Sequence, residues 1–329
     1  MAERLRFVDI VKGICIILVV VGHYLPEAAP NTYKNIVSFI YTFHMPVFMC
    51  MSGFLFFKGY KREQPRLTFI GKKLKRLIIP YLCISLIIVT IKLIAGYFIT
   101  LDNPVNPLSF LRIFLYPDAA FFLWFIYTLF IIFMIVPLFM KLKQGLFILS
   151  AFALILFFLP DAWFPSIFCL NMVKKMFVYF VIGCLIYKYR SNIPTSLSTM
   201  LLLTAVHFIC FYYHANTAVL QQGVLDHGMQ LIMGLIGCIN LVILGRLFDG
   251  MKLSNVLYQL GIFSSAIYLF HTMSMAPVKW IWLKFIGIDN MYTFLLSILI
   301  ICAAGIIIPI IIKKILNKSR RLSALLLGE

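Results

Sequence analysis

Hydrophobic residues gather into ten long runs along the chain, at about residues 7–25, 36–57, 77–99, 119–140, 145–160, 172–189, 199–215, 228–248, 256–286 and 291–312. Most approach the roughly twenty residues that a helix needs to cross the hydrocarbon layer of a bilayer. The pattern predicts an all-α, polytopic transmembrane helix bundle of about ten helices. The fifth run is short and the ninth long, so the fifth is expected to be tilted or half-buried and the ninth to extend beyond the bilayer. No internal repeat interrupts the series, which disfavours a transporter built from inverted halves.

The polar positions between the runs orient the chain. With the N-terminus inside, the cytoplasmic connections hold Arg4 and Arg6, then Lys58, Lys61, Arg62, Arg66, Lys72, Lys73, Lys75 and Arg76. Further on they hold Lys141, Lys143, Lys188, Arg190, Arg246, Lys252, Lys313, Lys314, Lys318, Arg320 and Arg321. These are most of the 29 basic residues, so both termini are expected to be cytoplasmic. The outer connections hold Glu27, Asp102, Asp118, Asp161, Asp226 and Asp289.

Composition agrees with this picture: 63% of residues are hydrophobic and 12% charged, far from the soluble average. The 329 residues leave little room for a separate soluble domain, so a single membrane domain over 1–329 is expected. The first run holds Asp9 and Lys12 and lacks a cleavage site before Pro26, so it reads as a retained helix in a multi-pass protein of the plasma (inner) membrane. The net charge of +18 is read as topology and gives no reason to expect a nucleic-acid partner. The eight cysteines stand singly with no CxxC spacing and read as packing residues; no metal site is expected.

Against that apolar background a few polar groups stand out. In DIVKGICIILVVVGH, Lys12 and His23 are eleven residues apart, about three helical turns, and Asp9 lies one turn before Lys12. Ionisable groups at such depth usually face a bundle interior or a water-filled path and mark function. The plainer alternative is an Asp9–Lys12 ion pair near the inner interface with His23 among the outer headgroups. In FHMPVFMCMSGFLFF, Pro46 is expected to kink a helix, and His44 is open to a packed, hydrogen-bonded role.

KKLKRLIIPYL ends the most basic connection, with Lys73 and Arg76 one turn apart. Orientation and anionic lipid explain part of that charge, and a phosphate-bearing cytoplasmic ligand is the alternative. Trp124 in LWFIYTLF reads by default as an interface anchor, whereas His271, after Tyr268 in SSAIYLFH, is a third intramembrane histidine. His207, His214 and His227 are expected to be solvated near the outer side. No HExxH, GxSxG, Walker or dinucleotide pattern is present.

Taken in order, DIVKGICIILVVVGH, FHMPVFMCMSGFLFF, KKLKRLIIPYL, LWFIYTLF and SSAIYLFH resemble the integral-membrane acyltransferase 3 family, in particular its branch similar to fucose 4-O-acetylase and other sugar O-acetyltransferases. The resemblance spans residues 9 to 271. It implies a ten-helix enzyme that takes acetyl groups from cytoplasmic acetyl-CoA, as donor substrate with no permanently bound cofactor, and delivers them to a carbohydrate on the outer face. The family's basic residue and histidine of the first helix map to Lys12 and His23. Its paired basic positions map to Lys73 and Arg76, and its late tyrosine and histidine to Tyr268 and His271. Members often carry arginine where this chain has Lys12 and Lys73. No SGNH-type esterase-like domain, which some relatives carry, follows in this sequence.

On this reading Lys72, Lys73, Lys75 and Arg76, with Ser52, are the donor-binding candidates, and the acyl arm runs among the first three apolar segments. His23 is the candidate general base, Glu27 its partner one turn on, and Lys12 or His44 the oxyanion stabiliser beside Asp9. Trp124, Tyr268 and His271 are candidates for acceptor contact or structural support. An acetyl-histidine intermediate and direct transfer are both compatible with these residues. Membrane lipids surround the protein, and a homo-oligomer is compatible with the composition. The rival class is a proton-coupled transporter or lipid-linked sugar flippase with Asp9, Lys12 and His23 as a relay; a third is a sensor or scaffold that keeps the fold without catalysis.

Overall fold

The computed structural model describes residues 5–99, 101, 103–118, 120–252 and 254–329; Arg4 and Asp102, counted above among the inner bases and outer acids, lie outside the described residues. The long elements are helices: α1 Arg6–His23, α2 Asn31–Tyr41, α3 His44–Gly59, α4 Arg66–Lys73, α5 Ile79–Ala95, α6 Ser109–Arg112 and α7 Trp124–Met140. They continue as α8 Gly145–Phe158, α9 Leu170–Lys188, α10 Leu197–Asn216, α11 Gly223–Phe248, α12 Ser254–Phe285, α13 Met291–Leu316 and α14 Arg320–Leu326.

Among the described residues, eight helical segments are long and apolar enough to cross a membrane. The other two runs correspond to α1, whose 18 residues include Arg6, Asp9 and Lys12, and to α8, with 14 residues. The chain is an all-α polytopic membrane protein.

The structure revises the second run. Instead of one kinked helix there are two, and Pro46 is the third residue of α3. In a first turn the missing proline N–H costs no intrahelical bond. The chain tightens at the join: the N–H groups of Thr42 and Phe43 donate to Phe39 and Ile40, and the Thr42 hydroxyl donates to the Phe39 carbonyl at 2.7 Å.

The basic stretch is also helical. Lys72 and Lys73 end α4, and Lys75 and Arg76 lie in a π-helical turn, Leu74–Ile78, that leads directly into α5. Pro80 has no N–H to offer the Arg76 carbonyl, and the backbone widens there, with Ile79 N–H reaching Leu74. Lys73 and Arg76 are therefore not spaced as in an undisturbed α-helix.

The helices form two compact units, one of Met1–Gly59 with Ile182–Lys314 and the other of Tyr60–Val181 with Ile315–Glu329. The first is built around α1, whose most extensive partner is α12. At the start of α1, Arg6 bonds Asn255 Oδ1 at 2.6 Å and Ser254 Oγ at 3.1 Å, and pairs with Asp249 at 3.2 Å. Farther along, Gly13 lies against the Leu257 carbonyl and Gly261 against the Asp9 carbonyl, so close that neither position has room for a Cβ. Small residues let membrane helices meet backbone to backbone, where lipid supplies no hydrophobic drive.

In the second unit the Tyr81 hydroxyl donates to the Ile113 carbonyl at 2.6 Å, and Phe168 N–H donates to Leu115 at 2.6 Å just before α9. Lys174, with its side chain fully buried, donates to Asp161 Oδ1 at 2.6 Å, while Lys175 approaches Oδ2 at 3.3 Å. Burial would raise the Asp161 carboxyl, but the Lys174 hydrogen bond and the charges of Lys175 and Lys174 outweigh it and pull the carboxyl down to about 2. A depressed carboxyl stabilises the fold above its unfolded value and loses that contribution as the pH falls through its folded value. The unfolding midpoint is therefore expected to drop between about pH 4 and about 2, and Asp161→Asn to flatten that limb. Thermal scans across the pH series would check it.

Candidate active site

The α1–α12 contact determines what happens at the far end of both helices. They run in the same direction, since Arg6 meets Ser254 and Asn255 and, further on, Gly13 and Asp9 meet Leu257 and Gly261. His23 lies ten residues beyond Gly13, and His271 ten beyond Gly261. At about 1.5 Å rise per residue the two histidines reach the same level. Their ring centroids are 4.8 Å apart at an interplanar angle of 58°.

His271 is fully buried. Its Nδ1 faces the carbonyls of Tyr268 at 2.8 Å and Ile267 at 3.1 Å. A carbonyl only accepts, so Nδ1 carries the proton and the neutral ring keeps its lone pair on Nε2. His23, by contrast, keeps an accessible surface. It is a half-open imidazole backed by a buried one of defined tautomer. Tyr268 stands beside them, its ring 6.2 Å from that of His271.

His44 is buried, and its Nδ1 lies 2.9 Å from the Ile40 carbonyl. The same reasoning puts its proton on Nδ1, so Nε2 of the neutral ring accepts and does not donate to an oxyanion. The ring of His44 stacks on Tyr41 at 5.0 Å, and the Tyr41 hydroxyl donates to the Gly22 carbonyl at 2.7 Å.

Lys12 pairs with Asp9 at 2.8 Å, and Asp9 is buried. The ion pair of the plainer reading is thus present, although His23 packs on His271 and does not merely face headgroups. Eleven residues of helix separate Lys12 from His23 by about 16 Å, so Lys12 does not serve as oxyanion donor to a carbonyl held at His23. Glu27 is exposed and lies beyond the end of α1, in the connection to α2, so it does not follow His23 by one helical turn. The Ser52 hydroxyl donates to Phe48 within α3, and α3 continues through Ser52 and Gly53 unbroken.

The remaining candidates belong to the second unit. Lys72, Lys75 and Arg76 are exposed. Lys73 is half-buried, its Nζ 3.8 Å from the centre of the Phe133 ring and 5.3 Å from that of Phe69, so two aromatic faces hold its charge. The Arg76 carbonyl lies against Gly328, where there is no space for a Cβ. Trp124 opens α7 and packs edge-on against Phe125.

Of the three histidines expected to be solvated near the outer side, two are buried and the third is half-buried in an ion pair. His207 is buried with Nε2 2.9 Å from the Thr42 hydroxyl, and His227 is buried as well. His214 pairs with Asp226 at 2.8 Å. Sequence reading also passed over Tyr33, Tyr41 and Lys174. The equal ten-residue steps from glycine to histidine in α1 and α12 were a usable signal for the histidine pair; nothing in the local pattern marks Tyr33 or Tyr41.

The chain matches the acyltransferase 3 family, described as an acyltransferase domain, over residues 5–314. It is similar to the nodulation protein NolL of Sinorhizobium fredii (strain NBRC 101917 / NGR234), 30% identical over 202 residues that cover 59% of this chain and 50% of that protein. The chain thus spans about half the length of that relative. No solved structure shows a significant match. With a family match over nearly the whole sequence and an all-helical membrane architecture, the chain belongs to the acyltransferase 3 family of integral-membrane acyltransferases.

Proposed function

We propose that the chain moves an acetyl group from cytoplasmic acetyl-CoA to a hydroxyl of an extracytoplasmic or lipid-linked carbohydrate. It acts as one membrane domain of the plasma (inner) membrane, with both termini inside. The observation that carries the reading is the histidine pair, an accessible His23 ring backed by the buried His271, within a chain of an acyltransferase family.

In this mechanism the acceptor oxygen attacks the thioester carbonyl carbon while its proton passes to His23. The lone pair on His271 Nε2 favours the imidazolium that forms. The tetrahedral intermediate then collapses, the C–S bond breaks, and the departing CoA sulfur takes the proton from His23, which restores the neutral ring. The chain's own residues supply the proton steps, and no permanently bound cofactor takes part. Lys72, Lys73, Lys75 and Arg76 would hold the CoA phosphates, Arg76 as a fork and the lysines as point charges. Lys73→Gln and Arg76→Gln are each expected to raise the KM for acetyl-CoA by roughly tenfold or more with a smaller change in kcat. Steady-state assays on the purified variants would measure it.

The function itself is tested with labelled acetyl-CoA and the purified protein in lipid nanodiscs, together with mass spectrometry of surface glycans from cells with and without the intact protein. Label in the acceptor, and an acetyl increment lost from the glycans of cells without the protein, are the expected results. Proton-coupled sugar uptake without CoA binding or acetyl transfer would overturn the proposal in favour of a transporter.

A further inference from the structure

α1 ends at His23, where a helix leaves its last carbonyls without intrahelical partners. Here there is no glycine cap; the Tyr24 N–H donates to the Val21 carbonyl at 3.1 Å, and α2 supplies the further partners. The Tyr33 hydroxyl lies 3.0 Å from the Val21 carbonyl and 2.9 Å from the Tyr24 carbonyl and shares its proton between them. The Tyr41 hydroxyl donates to the Gly22 carbonyl at 2.7 Å. The carbonyls of Val21, Gly22 and Tyr24, which flank His23, are thus held by two tyrosines of one neighbouring helix.

The fit extends beyond the hydrogen bonds. A Cβ at Gly22 would lie 2.6 Å from the Tyr41 ring, so the missing side chain is what lets that ring reach the backbone. The other side of the clamp is fixed in turn. Tyr24 donates to Ser297 of α13 at 2.7 Å, and Thr42, the residue after Tyr41, bonds His207 of α10 at 2.9 Å. His44 stacks on the Tyr41 ring.

We infer that Tyr33 and Tyr41 are positioning residues: by gripping the carbonyls on both sides of His23 they hold its ring at His271 with its reactive face toward the acceptor hydroxyl. The kinetic part of this inference rests on the acyl-transfer reading, whereas the geometric part does not. A helix cap that only stabilised α1 would lower the amount of folded protein and leave the reactivity of His23 alone. A clamp that aims the ring changes that reactivity in protein that is fully folded.

Phenylalanine at either position keeps the ring and removes only the hydroxyl, so Tyr33→Phe, Tyr41→Phe and the double variant are the test, each as the full chain purified in detergent. Two quantities are measured: the rate at which diethyl pyrocarbonate modifies His23, read by peptide mass spectrometry against His214 as internal reference, and kcat and KM for labelled acetyl transfer. In the double variant His23 is expected to be modified about fivefold faster or more, since the two tyrosine hydroxyls no longer restrain the backbone around it. Its kcat is expected to fall by about 10- to 100-fold, as for a misplaced catalytic group, with the KM for acetyl-CoA little changed.

Wild-type reactivity of His23 together with wild-type kcat in the variants would overturn the inference, as would a loss of activity matched by an equal loss of folded protein with His23 labelling unchanged. Should the double variant fail to insert, Tyr41→Phe decides on the same criteria, because Tyr41 is 47% exposed and phenylalanine keeps its ring. If the wild-type protein transfers no acetyl, the acyl-transfer reading fails and the labelling rates alone judge the clamp.

Discussion

Alanine at position 23 is expected to lower acetyl transfer by about 10² to 10⁴-fold, the usual contribution of a general base. The loss should fall on kcat, because His23 acts on a proton that moves only in the transition state. Binding of acetyl-CoA should persist, since the basic residues proposed to hold its phosphates, Lys72 to Arg76, are untouched. His271→Gln is expected to cost less, because it removes a support for the imidazolium and not the base. A covalent route leaves its own trace: without acceptor, wild-type protein given labelled acetyl-CoA would carry the label on the His23 peptide. Stopped assays with and without acceptor distinguish the routes. Unchanged turnover in a His23→Ala protein that folds and inserts would remove His23 from the mechanism.

Much of the architecture could be read from the hydrophobic runs, because a segment in lipid must satisfy its backbone internally and so becomes a helix wherever it is apolar for long enough. The short fifth run became α8 and the long ninth became α12. What the runs could not convey is which faces meet. In α10, which lies almost wholly on the surface, and in α12, which is much more buried, apolar residues occupy all sides, so periodicity does not separate a lipid-facing flank from a packed one. The break between α2 and α3 was misjudged for a local reason: Pro46 signals a helix start as readily as a kink.

The site was legible to the same partial degree. His23 and His271 could be singled out as ionisable groups at membrane depth, but their pairing depends on a helix crossing about 15 Å away. Tyr33 and Tyr41 were invisible because their partners are backbone carbonyls, which have no sequence signature. His207 and His227, assigned to solvent by their place near a helix end, are buried because neighbouring helices cover them.

That helix crossing is the place where a single atom should do most damage. Gly13 and Gly261 carry their α-carbons against the carbonyls of Leu257 and Asp9, and the neighbour in each case is backbone, which cannot rotate aside as a long side chain would. Gly261→Val, and equally Gly13→Val, is therefore expected to force α1 and α12 apart. Overpacking typically costs about 1–3 kcal/mol and more where the backbone must move, a large part of the roughly 5–15 kcal/mol that holds a typical domain folded. Folded protein recovered from membranes should fall by about tenfold or more, as judged by size-exclusion profiles of fluorescent fusions. Gly228→Ala in α11 is the contrasting change: apart from its own turn of helix nothing lies within 4 Å of its added Cβ, and alanine favours a helix by up to about 1 kcal/mol over glycine. The milder Gly261→Ala ties stability to chemistry. Displacing α12 at this point also draws His271 away from His23 ten residues on, so the protein that still folds should have lost acetyl transfer well beyond its loss of yield. Gly261→Ala protein with normal yield and normal turnover would show that the crossing does not set the histidine pair.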